Sequence, residues 1–92
     1  MNFGQALEAM KEGKRVSRQG WNGKGMFIFI TPGSIVPYSK CKPETQKAYI
    51  DHRESTITIG GHIDMKAADG TLVVGWLASQ TDMLAEDWEI VG

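Results

Sequence analysis

Met26-Phe27-Ile28-Phe29-Ile30 is apolar at every position. As a strand it puts Met26, Ile28 and Ile30 on one face and Phe27 and Phe29 on the other, so both faces need cover. One helix shields only one face. The second is expected to pack against another subunit, or against the far sheet of a curled barrel.

Upstream of this run, Phe3, Ala6, Leu7 and Met10 recur at helical spacing, with Asn2 as N-cap, Gln5 in the capping-box position and Gly13 as the stop. The pattern predicts a helix over residues 3 to 12, then a brief strand through Val16. Downstream, Thr31-Pro32-Gly33 is a turn signal and Ile35-Val36 a short strand ended by Pro37. Residues 38 to 55 are polar and read as a loop or a weak helix. Ile57 and Ile59 alternate with Thr56 and Thr58, Gly60-Gly61 marks a bulge or bend, and Ile63 and Met65 resume the alternation. Asp69-Gly70 is a hairpin signal before Leu72-Val73-Val74-Gly75-Trp76-Leu77. Ser79-Gln80-Thr81-Asp82 has the form of a helix start, and Trp88, Ile90 and Val91 supply a last strand. The order argues for an α+β fold: a small antiparallel sheet with an N-terminal helix and a short C-terminal helical turn.

The chain has 92 residues, enough for one domain over 1–92, and a domain of this size leaves much apolar surface to be covered by oligomerisation. Ten basic and eleven acidic residues give a net charge of −1, with no basic run longer than Lys14-Arg15, which argues against duplex nucleic acid as a partner. No signal peptide and no apolar run of about 18 residues is present, and the single Cys41 cannot form an internal disulfide. The expectation is a cytoplasmic protein without a membrane partner.

A search for catalytic patterns gives little. His52 and His62 lie ten residues apart, and there is no paired Cys-x-x-Cys, no His-Glu-x-x-His and no Gly-x-Ser-x-Gly, so neither a metal nor a cofactor is expected. His62 and Asp64 share a strand face, where a surface hydrogen bond is the simpler reading than a catalytic dyad. Two other segments carry possible binding chemistry. Gln19-Gly20-Trp21-Asn22-Gly23-Lys24-Gly25 is not a P-loop: it is short between its glycines and has no Ser or Thr after the lysine. It does offer backbone N–H groups, the Asn22 amide, the Lys24 cation and the Trp21 indole, which together suit a small polar ligand with a flat base. A tight turn with Trp21 tucked into the core fits the same residues. Trp76 stands before the helix start at Ser79, where Asp82 either caps its own helix or accepts from a ribose diol while Lys24 or Arg18 meets phosphate.

Asn2-Phe3-Gly4-Gln5-Ala6-Leu7, Arg18 through Met26 and especially Gly75 through Trp88 carry a family likeness. In these stretches the chain resembles small phage proteins that defeat the bacterial Thoeris defence by sponging up its signal, the second such anti-defence family described. The resemblance implies a homotetramer with ligand pockets between protomers, and a ligand that is the 1′′–3′ glycocyclic form of ADP-ribose, sequestered without being degraded. Some relatives are also similar to sponges for the cyclic oligonucleotides of the CBASS defence. The site residues it implies are Trp21 and Asn22 in the glycine loop and Trp76, Ser79, Gln80, Thr81, Asp82 and Met83 in the second motif; the chemistry of the loop itself adds Gly23 and Lys24 as candidate ligand-binding residues. Residues 31 to 62 carry no part of the likeness. On this reading the chain is not an enzyme. The two rivals are a hydrolase or lyase of the same signal and a protein-binding adaptor that grips its partner through the glycine loop.

Overall fold

A computed structural model describes all residues, 1–92. The chain forms two compact units, one made of residues 1–31 and 62–92 and the other of residues 32–61.

The first unit opens with helix α1 (Phe3–Lys11), started by a capping box in which the Asn2 side chain accepts from the Gln5 N–H and the Gln5 side chain accepts from the Asn2 N–H. The helix ends where Gly13 takes φ +89°, with Gly13 N–H donating to Met10 O and Lys14 N–H to Ala9 O. This is a Schellman closure, which needs a residue free of Cβ strain at Gly13. Strands β1 (Arg15–Arg18) and β2 (Phe27–Thr31) follow. After the second unit come β5 (His62–Lys66) and β6 (Leu72–Val74), then the short helix α3 (Gln80–Met83) and β7 (Trp88–Val91). The strands form one antiparallel sheet in the order β6-β5-β2-β1-β7.

Pairing of Val16 with Ile28 and with Ile90 sets which side of the sheet meets α1. Ala6, Ala9 and Met10 of the helix pack with Val16, Ile28 and Trp88, all buried. The expected two faces of β2 are present. Ile28 is in the core, while Phe27 and Phe29 lie side by side on the opposite face with ring centres 6.1 Å apart. Within the chain that second face is only half covered. The Arg15 guanidinium stands 4.7 Å from the Phe27 ring centre and the Lys66 ammonium 5.6 Å from it, so within the single chain cationic side chains partly cover this aromatic.

The strand expected to run from Leu72 to Leu77 stops at Val74. Gly75 takes φ +83°, and the N–H of Trp76, not of Gly75, donates to Ile63 O at 2.6 Å. Asp64 pairs with Val74, so Gly75 and Trp76 together stand opposite Ile63. One extra residue bulges out and the ladder ends there.

The second unit pairs β3 (Ser34–Pro37) with β4 (Thr56–Ile59) as a two-stranded antiparallel ribbon. The segment between them, expected to be a loop or a weak helix, contains helix α2 (Pro43–Ala48) flanked by single 3-10 turns at 38–40 and 50–52. Pro43 at the first turn suits a helix start. Tyr38 O–H donates to Gln46 O at 2.7 Å and the Gln46 amide returns a bond to Tyr38 O at 3.1 Å, which ties the helix to the ribbon. Gly33 lies where a Cβ would come within 2.8 Å of the Ile59 carbonyl, so a side chain there has no room.

Candidate functional site

At the end of β1 the chain turns sharply: Trp21 N–H donates to Arg18 O at 3.2 Å, and Gly20 N–H donates to Asp87 Oδ2 at 2.8 Å. This delivers the Trp21 indole among other aromatics. Its centre lies 5.3 Å from Trp88 in an edge-on arrangement and 6.2 Å from Trp76, while Phe3 sits 6.4 Å from Trp76 and 5.3 Å from Trp88. Edge-to-face spacing of this kind is favourable for aromatic quadrupoles. Trp21 and Trp76 remain half-buried, whereas Trp88 is in the core.

Asp82 joins this aromatic group to α3. Its Oδ1 accepts from the Trp21 indole N–H at 3.2 Å and from Arg18 Nη1 at 2.8 Å. Its N–H donates to Ser79 Oγ at 3.1 Å, and its Oδ2 accepts a longer bond, 3.4 Å, from Ser79 N–H, so Ser79 and Asp82 form a reciprocal cap. Trp88 adds a bond from its indole N–H to the Asp82 carbonyl at 2.9 Å. Asp82 therefore caps its helix, as the first of the two readings expects, and in addition accepts from Arg18 and from the Trp21 indole of the glycine loop.

Arg18 bridges two carboxylates, with Nη1 on Asp82 and Nε on Asp87 Oδ1, each at 2.8 Å. The hydrogen bonds to Asp87 and then Asp82 raise the guanidinium pKa above its ordinary value. Burial pushes the Asp82 carboxyl upward, but bonds from Arg18, Trp21 and Ser79 outweigh it and hold the group below the ordinary carboxylate range. The Asp87 carboxyl is depressed too, first by Arg18. All three groups are therefore ionised at neutral pH, and the cluster carries one net negative charge. A guanidinium has five N–H donors, of which three point at the two aspartates. The other two have no hydrogen-bond partner within the chain.

Of the residues picked out from sequence, Trp21, Trp76, Ser79 and Asp82 come together here. Asn22, Lys24, Gln80, Thr81 and Met83 lie at the surface on the same two segments. Gly23 packs closely on the same loop, where a Cβ would lie 2.5 Å from Met26 Sδ and 2.6 Å from the Ala68 Cβ. Phe3 and Asp87 were not legible as site residues. Phe3 reads as an ordinary core position of α1, and Asp87 gains its role only through a bond to a residue 69 positions away.

His62 and Asp64 do pair, with Nε2 3.3 Å from Oδ2. Asp64, however, is 2% exposed, and so is not on the surface. It accepts from Thr31 O–H at 2.5 Å and from Gly75 N–H at 2.9 Å, and these bonds, that from Thr31 foremost, hold its pKa low despite burial. Cys41 lies in the second unit with its sulfur 3.5 Å from the Pro37 carbonyl. An open groove of about 400 Å³ beside Arg15, Phe27, Lys66 and Glu89 is lined by none of the residues of the tryptophan cluster.

Residues 1–91 match the Thoeris anti-defense 2-like domain family. The chain is also 38% identical, over 91 residues, to Thoeris anti-defense 2 of Bacillus phage SP01, an alignment covering 99% of this chain and 94% of that protein.

Proposed function

The chain belongs to the Thoeris anti-defense 2-like family, and from that premise we propose that it is a phage anti-defence protein that binds a cyclic nucleotide immune signal and sequesters it intact. The ligand on this reading is 1′′–3′ glycocyclic ADP-ribose, with CBASS cyclic oligonucleotides as a second class, and all 92 residues act as one sequestering domain. The observation that carries the proposal is the Asp82 junction, which ties the glycine loop to the α3 start and places two half-buried indoles beside a partly uncommitted guanidinium. Trp21 or Trp76 offers a flat face to adenine. Lys24 offers a cation to the pyrophosphate and Arg18 its two remaining N–H donors, while Asp82 Oδ2, which holds only one long bond, accepts from ribose hydroxyls.

Sequestration sets an energetic demand. Depleting a signal present at nanomolar to micromolar levels needs a binding free energy of about −10 to −12 kcal/mol, beyond the reach of a single exposed loop. A pocket closed by a second protomer meets it, and a homotetramer with interfacial sites is the assembly we propose. Support for a covered surface comes from Leu72, Val74, Leu77 and Leu84, which are 56%, 67%, 91% and 73% exposed in the single chain.

The hydrolase or lyase alternative would draw its base from His62 and Asp64. Asp64 is buried with its two oxygens on Thr31 and Gly75, so the carboxylate is not itself free to act as the base, and that reading is left with His62 alone. Calorimetric titration with glycocyclic ADP-ribose tests the reading: saturable binding that weakens in both Trp21→Ala and Asp82→Ala is expected, and affinity unchanged in both variants would remove the site.

A further inference from the structure

Asp64 is the one charged side chain that is fully buried, and the ligand chemistry above makes no use of it. An ionised carboxylate in that position is costly unless each lone pair facing the protein is matched by a donor. Here the Thr31 hydroxyl at the end of β2 and the backbone N–H of Gly75 donate to it, and His62 Nε2, two residues away on β5, stands 3.3 Å from Oδ2.

The Gly75 bond matters most for the site. In the bulge after β6, Trp76 takes the ladder bond to Ile63, so the Gly75 N–H has no strand partner and donates instead to Asp64, from an exposed position just before Trp76. A charged acceptor makes a stronger bond to such an N–H than a neutral one does. One peptide link further on, the Trp76 indole stands 6.2 Å from Trp21 and 6.4 Å from Phe3. We propose that Asp64 is a positioning residue for the ligand site: by holding Gly75 it fixes the bulge that aims the Trp76 indole at Trp21. The inference rests on the proposed binding role of Trp76, and adds a mechanical cause for its placement.

The test compares Asp64→Ala with Asp64→Asn at a temperature where melting curves show both to be folded. Asn keeps an oxygen for Gly75 N–H, and the Thr31 hydroxyl can turn to accept from the new amide. Titration with glycocyclic ADP-ribose is expected to show about a tenfold loss of affinity in Asp64→Ala and a change within about threefold in Asp64→Asn. The Trp76 indole N–H resonance, assigned with Trp76→Phe, should move in the alanine variant and stay near its wild-type position in the asparagine variant. Wild-type affinity in folded Asp64→Ala overturns the inference, as does an equal loss in both variants. Where Asp64→Ala does not fold, Thr31→Val replaces it, with loss in the same direction expected and wild-type affinity overturning the inference. A wild-type chain that binds no ligand removes the proposed function, and Asp64 is then judged on the indole resonance alone: unmoved in Asp64→Ala, it overturns the mechanical role as well.

Discussion

Arg18 and Asp82 lie 64 positions apart in the sequence and meet at 2.8 Å, with both side chains mostly shielded from solvent. This bond connects the end of β1 to the first turn of α3, and the Trp21 indole shares the same carboxylate oxygen. Stability and ligand geometry are therefore expected to change together when the junction is cut.

Asp82→Ala removes acceptors from Arg18, Trp21 and Ser79 at once. Arg18 keeps Asp87, so the guanidinium is not left fully unpaired, and a loss of about 2–3 kcal/mol is expected rather than the larger cost of stranding a buried charge. Urea unfolding measures it. Ser79→Ala, which removes only the helix cap, should cost about 1 kcal/mol in the same assay.

Acid should weaken the fold through these carboxylates. Asp82 and Asp87 have folded pKa values below their ordinary ones, so the folded state binds protons less readily than the unfolded chain. Their contribution is fully present above the unfolded pKa of about 3.9 and is lost as pH falls through the depressed folded values. Melting temperature is expected to hold between neutral pH and about 5 and to drop below that, with a shallower drop in Asp87→Asn.

Trp21→Phe separates packing from hydrogen bonding. The ring contact with Trp88 persists but the N–H bond to Asp82 is gone, and a cost of about 1 kcal/mol is expected. Trp21→Ala also loses the aromatic contacts and should cost about 3 kcal/mol, at the low end for aromatic truncation because the side chain is only half-buried. Thermal or urea unfolding of the two variants gives the difference directly.

Leu77 is 91% exposed, so Leu77→Asp has little effect on the stability of an isolated chain. If this surface is covered in the assembly, burying the new charge there is costly, and light scattering is expected to show a shift from tetramer toward smaller species. An unchanged mass would place Leu77 outside the interface.

Much of the first unit is legible in the residues themselves. Asn2, Gln5 and Gly13 bound α1 by capping chemistry alone, and the two faces of β2 follow from alternation through Phe27, Ile28 and Phe29. Asp69 and Gly70 shape the β5–β6 turn as read, with Asp69 accepting from Thr71 N–H at 2.9 Å and Gly70 at φ +91°. Ser79 and Asp82 form the cap that their spacing suggests. What escaped depends on partners distant in sequence. Helix α2 is fixed by Tyr38 and Gln46 rather than by an apolar stripe, and β6 ends at a bulge where the Gly75 N–H bonds Asp64 and not the neighbouring strand. The site was half visible for the same reason. Trp21, Trp76 and Asp82 stand out as residue types, but the pair of salt bridges from Arg18 to Asp82 and Asp87 exists only once β1, α3 and the residue before β7 have been brought together.

Sequestration itself is tested most directly by what the protein releases. The purified chain is mixed with glycocyclic ADP-ribose, freed of unbound ligand and denatured by heat, and the supernatant is identified by mass spectrometry. Recovery of intact ligand, in fixed proportion to protein and reduced in Asp82→Ala, is the expected result. A cleaved product accumulating beyond one per site would make the protein an enzyme, and no retained ligand at all would contradict the account.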